Sequence, residues 1–274
     1  MIIALLTDFG LEDNFVGVVK GVILGINPEV KIVDVSHSVM PSDILQAAFL
    51  LKSSYRYFPH GTIHLVVVDP GVGSGRKAVI VKTKRFYFIG PDNGVLSLAL
   101  ASEERVVNIV SITNQRFFLK SVSPTFHARD IFAPVAAHLS SGRNITQFGI
   151  VQKDYRHLEL PRPEIITPRR DTAFSRKNKI LRGEIIYIDR FGNLITNIEK
   201  NIFSRFTGKG DFAIHFKNKA INKISKSYSE AGENKPLAIF GGFGNLEISI
   251  NKRSARGYFR ARTGQGVEVF LHRT

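Results

Sequence analysis

The first seventy residues alternate between short apolar runs and amphipathic stretches, and this alternation restricts the fold more than any other feature. Residues 2–7 read as a strand. Asp13 or Asn14 is placed to cap a helix running to about Ile26, and Pro28 ends that segment. Residues 31–37 form a second strand. Ser42 or Asp43 then caps a helix to about Tyr57, with Ile44, Ala47, Ala48, Leu51 and Tyr55 on one face. Residues 63–69 form a third strand. A β-α-β-α-β order is satisfied by parallel strands joined through right-handed crossovers. The expected fold class is therefore an α/β amino-terminal domain with a mainly parallel sheet. Gly17, Gly21 and Gly25 recur on the first helix. Because glycine weakens a helix, the spacing predicts a close approach of that helix to the sheet.

Further strands are expected near 77–83, 85–90 and 106–110, with a short helix at 95–102 and an apolar helix at 131–139. Pro134 sits early in the last of these, where proline is tolerated. From about 155 to 180 the composition changes: Arg156, Arg162, Arg169, Arg170 and Arg176 accompany three prolines and little periodicity. Strands with turn signals follow at 183–189, 193–199, 211–217, 237–241, 245–250 and 266–271. The expected division is an amino-terminal domain over 1–160, a linker over 161–180 and a smaller all-β barrel over 181–274.

Composition narrows the function classes. There are no cysteines, which removes disulfides and thiolate metal sites and points to a cytoplasmic protein. No apolar run suits a membrane span, and Asp8 interrupts the apolar start too early for a signal peptide. The formal net charge of +15 raises a polyanion partner. The basic residues are scattered, with small clusters at Arg169-Arg170, Arg176-Lys177 and Lys252-Arg253, and no nucleic-acid motif accompanies them. A solubility balance is the simpler reading, and no nucleic-acid partner is expected.

Chemistry concentrates in Val66-Val67-Val68-Asp69-Pro70-Gly71-Val72-Gly73-Ser74-Gly75-Arg76. A β-branched run delivers an acid to the carboxyl end of a strand, where ligands bind in open α/β sheets. The glycines allow a tight loop, and Arg76 returns a fixed positive charge. A surface turn with an ion pair is the plain alternative; a phosphate loop is disfavoured because the GK[ST] ending is absent. Asp8 ends the first strand, so it and Asp69 reach one sheet edge. Two acids there suit a metal, a shared proton or ribose hydroxyls, with His37 as a third candidate ligand. A metal would call for more ligands than these. His127 stands at the amino end of a helix, where the dipole resists protonation and leaves the ring able to accept a proton. Asp130 reads as a cap for that helix, and Arg129 as paired with an acid or facing solvent. In the carboxyl half, Asp189-Arg190-Phe191-Gly192-Asn193 places an acid, an aromatic and an amide on one turn. These suit a nucleobase, or simply a self-satisfied hairpin.

Six motifs together resemble the S-adenosylmethionine hydroxide adenosyltransferases, relatives of the fluorinase and chlorinase enzymes. They are Leu6-Thr7-Asp8-Phe9-Gly10, Val68 to Gly73, Gly90-Pro91-Asp92-Asn93-Gly94, Phe126 to Pro134, Asp189 to Asn193 and Leu246-Glu247-Ile248. The resemblance implies hydrolysis of S-adenosyl-L-methionine (SAM) to adenosine and L-methionine, with a triad of Asp69, Arg76 and His127. It implies Asp8 at the ribose hydroxyls, Phe191 and Asn193 at adenine, Asp189 at the methionine ammonium, and Glu247 among the substrate-binding residues. It implies no metal and no cofactor, SAM being the substrate, and a homotrimer with the substrate between the amino domain of one subunit and the barrel of the next. Ala128 stands where a glycine is expected beside the attacked carbon, and Gly242 where relatives often carry a serine near the methionine carboxylate. Halide transfer to the same carbon is the rival on this scaffold. The halogenating relatives lack the triad's aspartate and histidine and the fluorinase carries an extra loop, so the rival is disfavoured. A module that binds SAM or a nucleotide without turnover is the non-enzymatic alternative.

Overall fold

The computed structural model describes residues 1–167 and 179–272. The chain divides into two compact units, Met1–Glu159 and Leu160–Thr274.

In the first unit the chain runs β1 (Ile2–Thr7), α1 (Phe15–Ile26), β2 (Lys31–Ser36), α2 (Ile44–Ser54), β3 (Ile63–Val67), β4 (Ala78–Thr83), β5 (Tyr87–Pro91), α3 (Ser97–Leu100), β6 (Val106–Ile112), α4 (Ala133–Ser140) and β7 (Gly149–Gln152). One seven-stranded sheet has the order β2-β1-β3-β5-β4-β6-β7. Ile3 and Leu5 of β1 enter a core shared with α1 and α4, whereas Leu6 enters a second core shared with α2 and α3. The strand alternation thus buries both faces of the sheet under helices. The connections through α1 and α2 leave on opposite faces, so the topology reverses beside β1. The crevice beyond the carboxyl ends of β1 and β3 is where such sheets bind ligands.

The sheet is mixed rather than mainly parallel. β1 pairs with β2 and β3, and β3 with β5, in parallel; β4 pairs with β5 and β6, and β6 with β7, in antiparallel. The cause is loop length: Thr83 meets Phe86 across a short turn (N–H to O 2.9 Å), and so short a link permits only antiparallel strands. The glycine stripe also corrects the expectation. Val16, Val19 and Ile23 are the buried residues of α1, while Gly17, Gly21 and Gly25 face open space. The stripe lies opposite the packed face.

The second unit holds β8 (Glu164–Ile166), β9 (Ile180–Ile188), β10 (Leu194–Glu199), α5 (Lys200–Thr207), β11 (Asp211–Phe216), β12 (Lys219–Ile221), β13 (Ile224–Ser225), β14 (Pro236–Phe240), β15 (Asn245–Ile250), α6 (Ala255–Phe259) and β16 (Gly266–His272). Nine strands form one sheet, ordered β12-β11-β16-β9-β10-β15-β14-β13, with β8 added on β9. Among the described residues no ladder joins β12 to β13, so pairing leaves the sheet open instead of closing it as a barrel. Nor is the unit all-β. α5 buries Phe203 and Thr207, and α6 buries Ala255 and Phe259. Part of the predicted linker is strand β8; residues 168–178, with Arg169-Arg170 and Arg176-Lys177, lie outside the described residues.

Candidate active site

The loop after β3 folds back on itself. Val72 N–H donates to Asp69 O at 3.2 Å and Ser74 N–H to Gly71 O at 3.1 Å. Gly73 has φ +77°, and a Cβ there would collide with the carbonyl of Pro124. This close approach brings the segment carrying His127 against the loop carrying Arg76. The Arg76 Nε donates to both oxygens of Asp69 at 2.9 Å, and Nη2 donates to Oδ2 as well. The same Nη2 lies 3.0 Å from His127 Nδ1. Guanidinium has no lone pair to offer, so Nδ1 is the acceptor and the neutral ring carries its hydrogen on Nε2. The Arg76 guanidinium also lies over the Phe132 ring at 5.2 Å. Both ends of the ion pair are largely shielded, with side chains 11% and 6% exposed. Burial, reinforced by the charge of Arg76, holds the His127 ring below its ordinary pKa.

His127 precedes a wide π-helical turn, Ala128–Phe132, that runs into α4 with Pro134 in its first turn. Such turns recur at functional sites. Asp130 is not the cap expected of it. It is fully buried, accepts from Arg129 Nε at 2.6 Å and Nη2 at 3.0 Å, and accepts from Ser123 N–H at 2.7 Å. Burial alone would raise its pKa, but these donors outweigh it and hold the carboxyl below the usual range. Asp130 therefore pins the loop on which His127 sits. Ala128 is buried.

Asp8 follows β1, and Thr7 of β1 lies in register with Val67 of β3. Asp8 Oδ2 accepts from Ser42 N–H at 2.8 Å. His37 Nδ1 is 2.8 Å from Thr7 Oγ1, and its Nε2 lies 3.0 Å from Asp34 Oδ1 without hydrogen-bond alignment. His37 is thus turned to Thr7 and Asp34. Among the described residues no three His, Asp or Glu side chains converge as a metal site would require.

In the second unit, Asp189, Phe191 and Asn193 lie on the turn between β9 and β10. Asp189 Oδ1 accepts from Asn193 N–H at 2.8 Å, and Oδ2 from Asn193 Nδ2 at 2.9 Å. Gly192 has φ +84°, and a Cβ there would strike Ser254 at the start of α6. Phe191 is 78% exposed. With Tyr228, Ile250, Lys252 and Ser254, these three residues line a cleft of about 550 Å³. Glu247 is buried; its Oε1 accepts from the Tyr228 phenol at 2.8 Å. Burial and this neighbouring acid push the Tyr228 phenol up. Among the described residues nothing lies within 4 Å of a Cβ built on Gly242.

Sequence reasoning missed Tyr228 and Ser254, which no motif announced. It also missed the contacts of Phe9 with Phe15 and Phe126, at ring distances of 5.9 and 6.1 Å. Their signal was positional, since Phe9 and Phe126 adjoin Asp8 and His127.

Residues 3–149 match the SAM hydroxide adenosyltransferase N-terminal domain, and residues 183–268 match the C-terminal domain of that family. A protein named (R)-S-adenosyl-L-methionine hydrolase from Thermus thermophilus is 33% identical over 96% of this chain and 97% of its own. One of the same name from Methanocaldococcus jannaschii is 35% identical over 90% and 88%. A fluorinase from Actinopolyspora mzabensis is 25% identical over 98% and 96%. A crystal structure of an uncharacterized conserved protein from Thermotoga maritima superposes with TM-score 0.85 at 34% identity, covering 98% of this chain and 100% of that one.

Proposed function

The chain belongs to the SAM hydroxide adenosyltransferase family, and from that membership we propose that it hydrolyses S-adenosyl-L-methionine to adenosine and L-methionine. The observation that carries the mechanism is that one guanidinium, Arg76, holds Asp69 and His127 together at the carboxyl edge of the sheet.

Water is the nucleophile and C5′ of the ribose the electrophile. The new bond joins water oxygen to C5′; the bond to sulfur breaks, and its electrons stay on sulfur, which leaves as the neutral thioether of methionine. No acid is needed for departure. The demand falls on the nucleophile, because bulk water has a pKa of about 15.7 and a nearby cation favours hydroxide. Arg76 supplies that field. His127, neutral with its hydrogen on Nε2, donates to the attacking oxygen and orients it. Asp69 is then the proton acceptor, since Nδ1 of the ring is occupied by Arg76. Hydroxide and sulfonium lose their charges together, a change that a dry, preorganised site favours.

Asp8 is assigned to the ribose hydroxyls. Phe191 offers an exposed face for adenine, and Asn193, its amide nitrogen turned to Asp189, offers its oxygen to the exocyclic amine. The proposal includes assembly as a homotrimer and needs no metal or cofactor. Chromatography tests it: the wild type releases adenosine and methionine from SAM, and Asp69→Ala and His127→Ala each lower kcat by ~10²–10⁴. Undiminished release by both variants contradicts the mechanism. Formation of 5′-chloro-5′-deoxyadenosine in chloride favours halide transfer instead.

A further inference from the structure

In the sheet β5 lies between β3 and β4, so the loop that leaves β3 with Asp69 and enters β4 after Arg76 has to cross the end of β5. The crossing spans two strand spacings, about 10 Å. The turn Gly90-Pro91-Asp92-Asn93-Gly94, where β5 ends, bonds to both ends of that loop. Asn93 Nδ2 donates to Val68 O at 2.9 Å, one residue before Asp69. The Asp92 N–H donates to Lys77 O at 2.8 Å, one residue after Arg76. Gly90 permits the close fit, since a Cβ there would stand 2.5 Å from the Val66 carbonyl oxygen. The turn is itself held from behind: Arg156 N–H donates to Asp92 Oδ1 at 2.7 Å, and a Cβ on Gly94 would press on Leu158.

Position 93 has to donate and accept at once. While Nδ2 donates to Val68 O, Oδ1 accepts from Val95 N–H at 3.1 Å. An aspartate offers the acceptor without the donor, and a leucine offers neither. Within the loop, Ser74 Oγ donates to Gly71 O at 2.7 Å and accepts from Arg76 N–H at 3.3 Å. Those bonds shape the loop; where its ends stand on the sheet edge is set by the turn. We propose that Asn93 is a positioning residue for the reaction, holding the Asp69–Arg76 loop where Arg76 meets His127 and the Asp69 carboxylate faces the attacking water. Its side chain touches no reacting atom. The inference rests on the SAM reading for its effect on rate, whereas the contact of Arg76 with His127 exists without substrate. Asp8, Phe191 and Asn193, the groups assigned to hold SAM, lie on other segments. Losing the Asn93 bond therefore lowers kcat and spares KM.

The test combines steady-state kinetics with NMR titration of the histidines. Asn93→Leu removes both bonds at similar size, and its kcat for SAM is expected to fall ~10²-fold, the cost of a misplacement of ~1 Å. KM stays within about threefold of wild type. Arg76, Asp69 and Asp130 are the charged groups that face the His127 ring. Withdrawal of Arg76 raises the His127 midpoint in Asn93→Leu toward that of Arg76→Gln. The midpoint of His138, on α4 beside Arg143, stays in place, whereas a general loosening of the fold would move both. Asn93→Asp keeps the size and the bond from Val95 and loses only the donor, so its kcat falls as well; it carries the test if the leucine variant does not fold. Wild-type kcat in Asn93→Asp, an unmoved His127 midpoint in Asn93→Leu, or a loss carried entirely by KM overturns the inference. A wild type that releases no adenosine, beside a His127 midpoint that still rises in Asn93→Leu, overturns the hydrolase reading and sustains the positioning of Arg76 by Asn93.

Discussion

At the scale of single residues, two histidines show how surroundings set a ring's chemistry. His127 is held neutral by burial and by Arg76, which donates to Nδ1. Its proton is absent over the range where a free histidine would begin to take one up, so activity persists below pH 6.5 and falls only as pH drops through the lowered pKa. Titration by NMR is expected to place the His127 midpoint below 6.5, and Arg76→Gln to move that midpoint upward. A midpoint at or above 6.5 contradicts the geometry. His64 is enclosed by Tyr55, Phe58, Phe86 and Phe88, and among the described residues neither ring nitrogen has a hydrogen-bond partner. Burial pushes its pKa down to about 3. The unfolded chain binds this proton near pH 6.5 and the folded chain does not, so acid favours unfolding between 6.5 and about 3. His64→Leu removes that contribution. Urea midpoints measured against pH should show wild type losing up to ~1.4 kcal/mol per pH unit relative to the variant in this window. A pH-independent difference contradicts the assignment.

At the scale of elements, the glycines give the sharpest predictions. Gly21 lies within α1, and among the described residues nothing is within 4 Å of an added Cβ. Gly21→Ala is expected to stabilise the isolated chain by ~1 kcal/mol, read as a raised melting temperature. Gly192→Ala acts oppositely, since φ +84° and Ser254 both oppose a side chain. It loosens the turn carrying Phe191 and Asn193, and KM for SAM rises with little change in kcat. These positions also show what the sequence made legible. β1 to β3 and their two helices were readable because each apolar period matches its element. Asp69, Arg76 and His127 were readable as chemistry because a strand end, a glycine loop and a helix start advertise them. That Arg76 joins the other two came only through the family resemblance, because Gly73 packing on Pro124 is a tertiary contact with no local signature. The mixed sheet was missed because period-two runs do not encode strand direction; the turn at 84–86 did. Helix α5 carried its own signal in Ile202, Phe203 and Phe206, overlooked within a run of strands. Glu247 was visible only through its motif, since its burial is a property of coordinates.

At the scale of the molecule, two units carry complementary chemistry: a carboxylate–guanidinium–imidazole cluster on one, and an aromatic and amide turn beside a buried acid on the other. The proposed homotrimer predicts a light-scattering mass near three times 30.6 kDa. A mass of one chain at the concentration of assay, with full activity, would remove assembly from the account. The central claim is that the Asp69, Arg76 and His127 cluster delivers a solvent oxygen to C5′. Turnover in water enriched in oxygen-18, with mass spectrometry of both products, tests it most directly. The account predicts one labelled oxygen in the 5′-hydroxyl of adenosine and none in methionine. Unlabelled adenosine, or label carried by the amino-acid product, would contradict it.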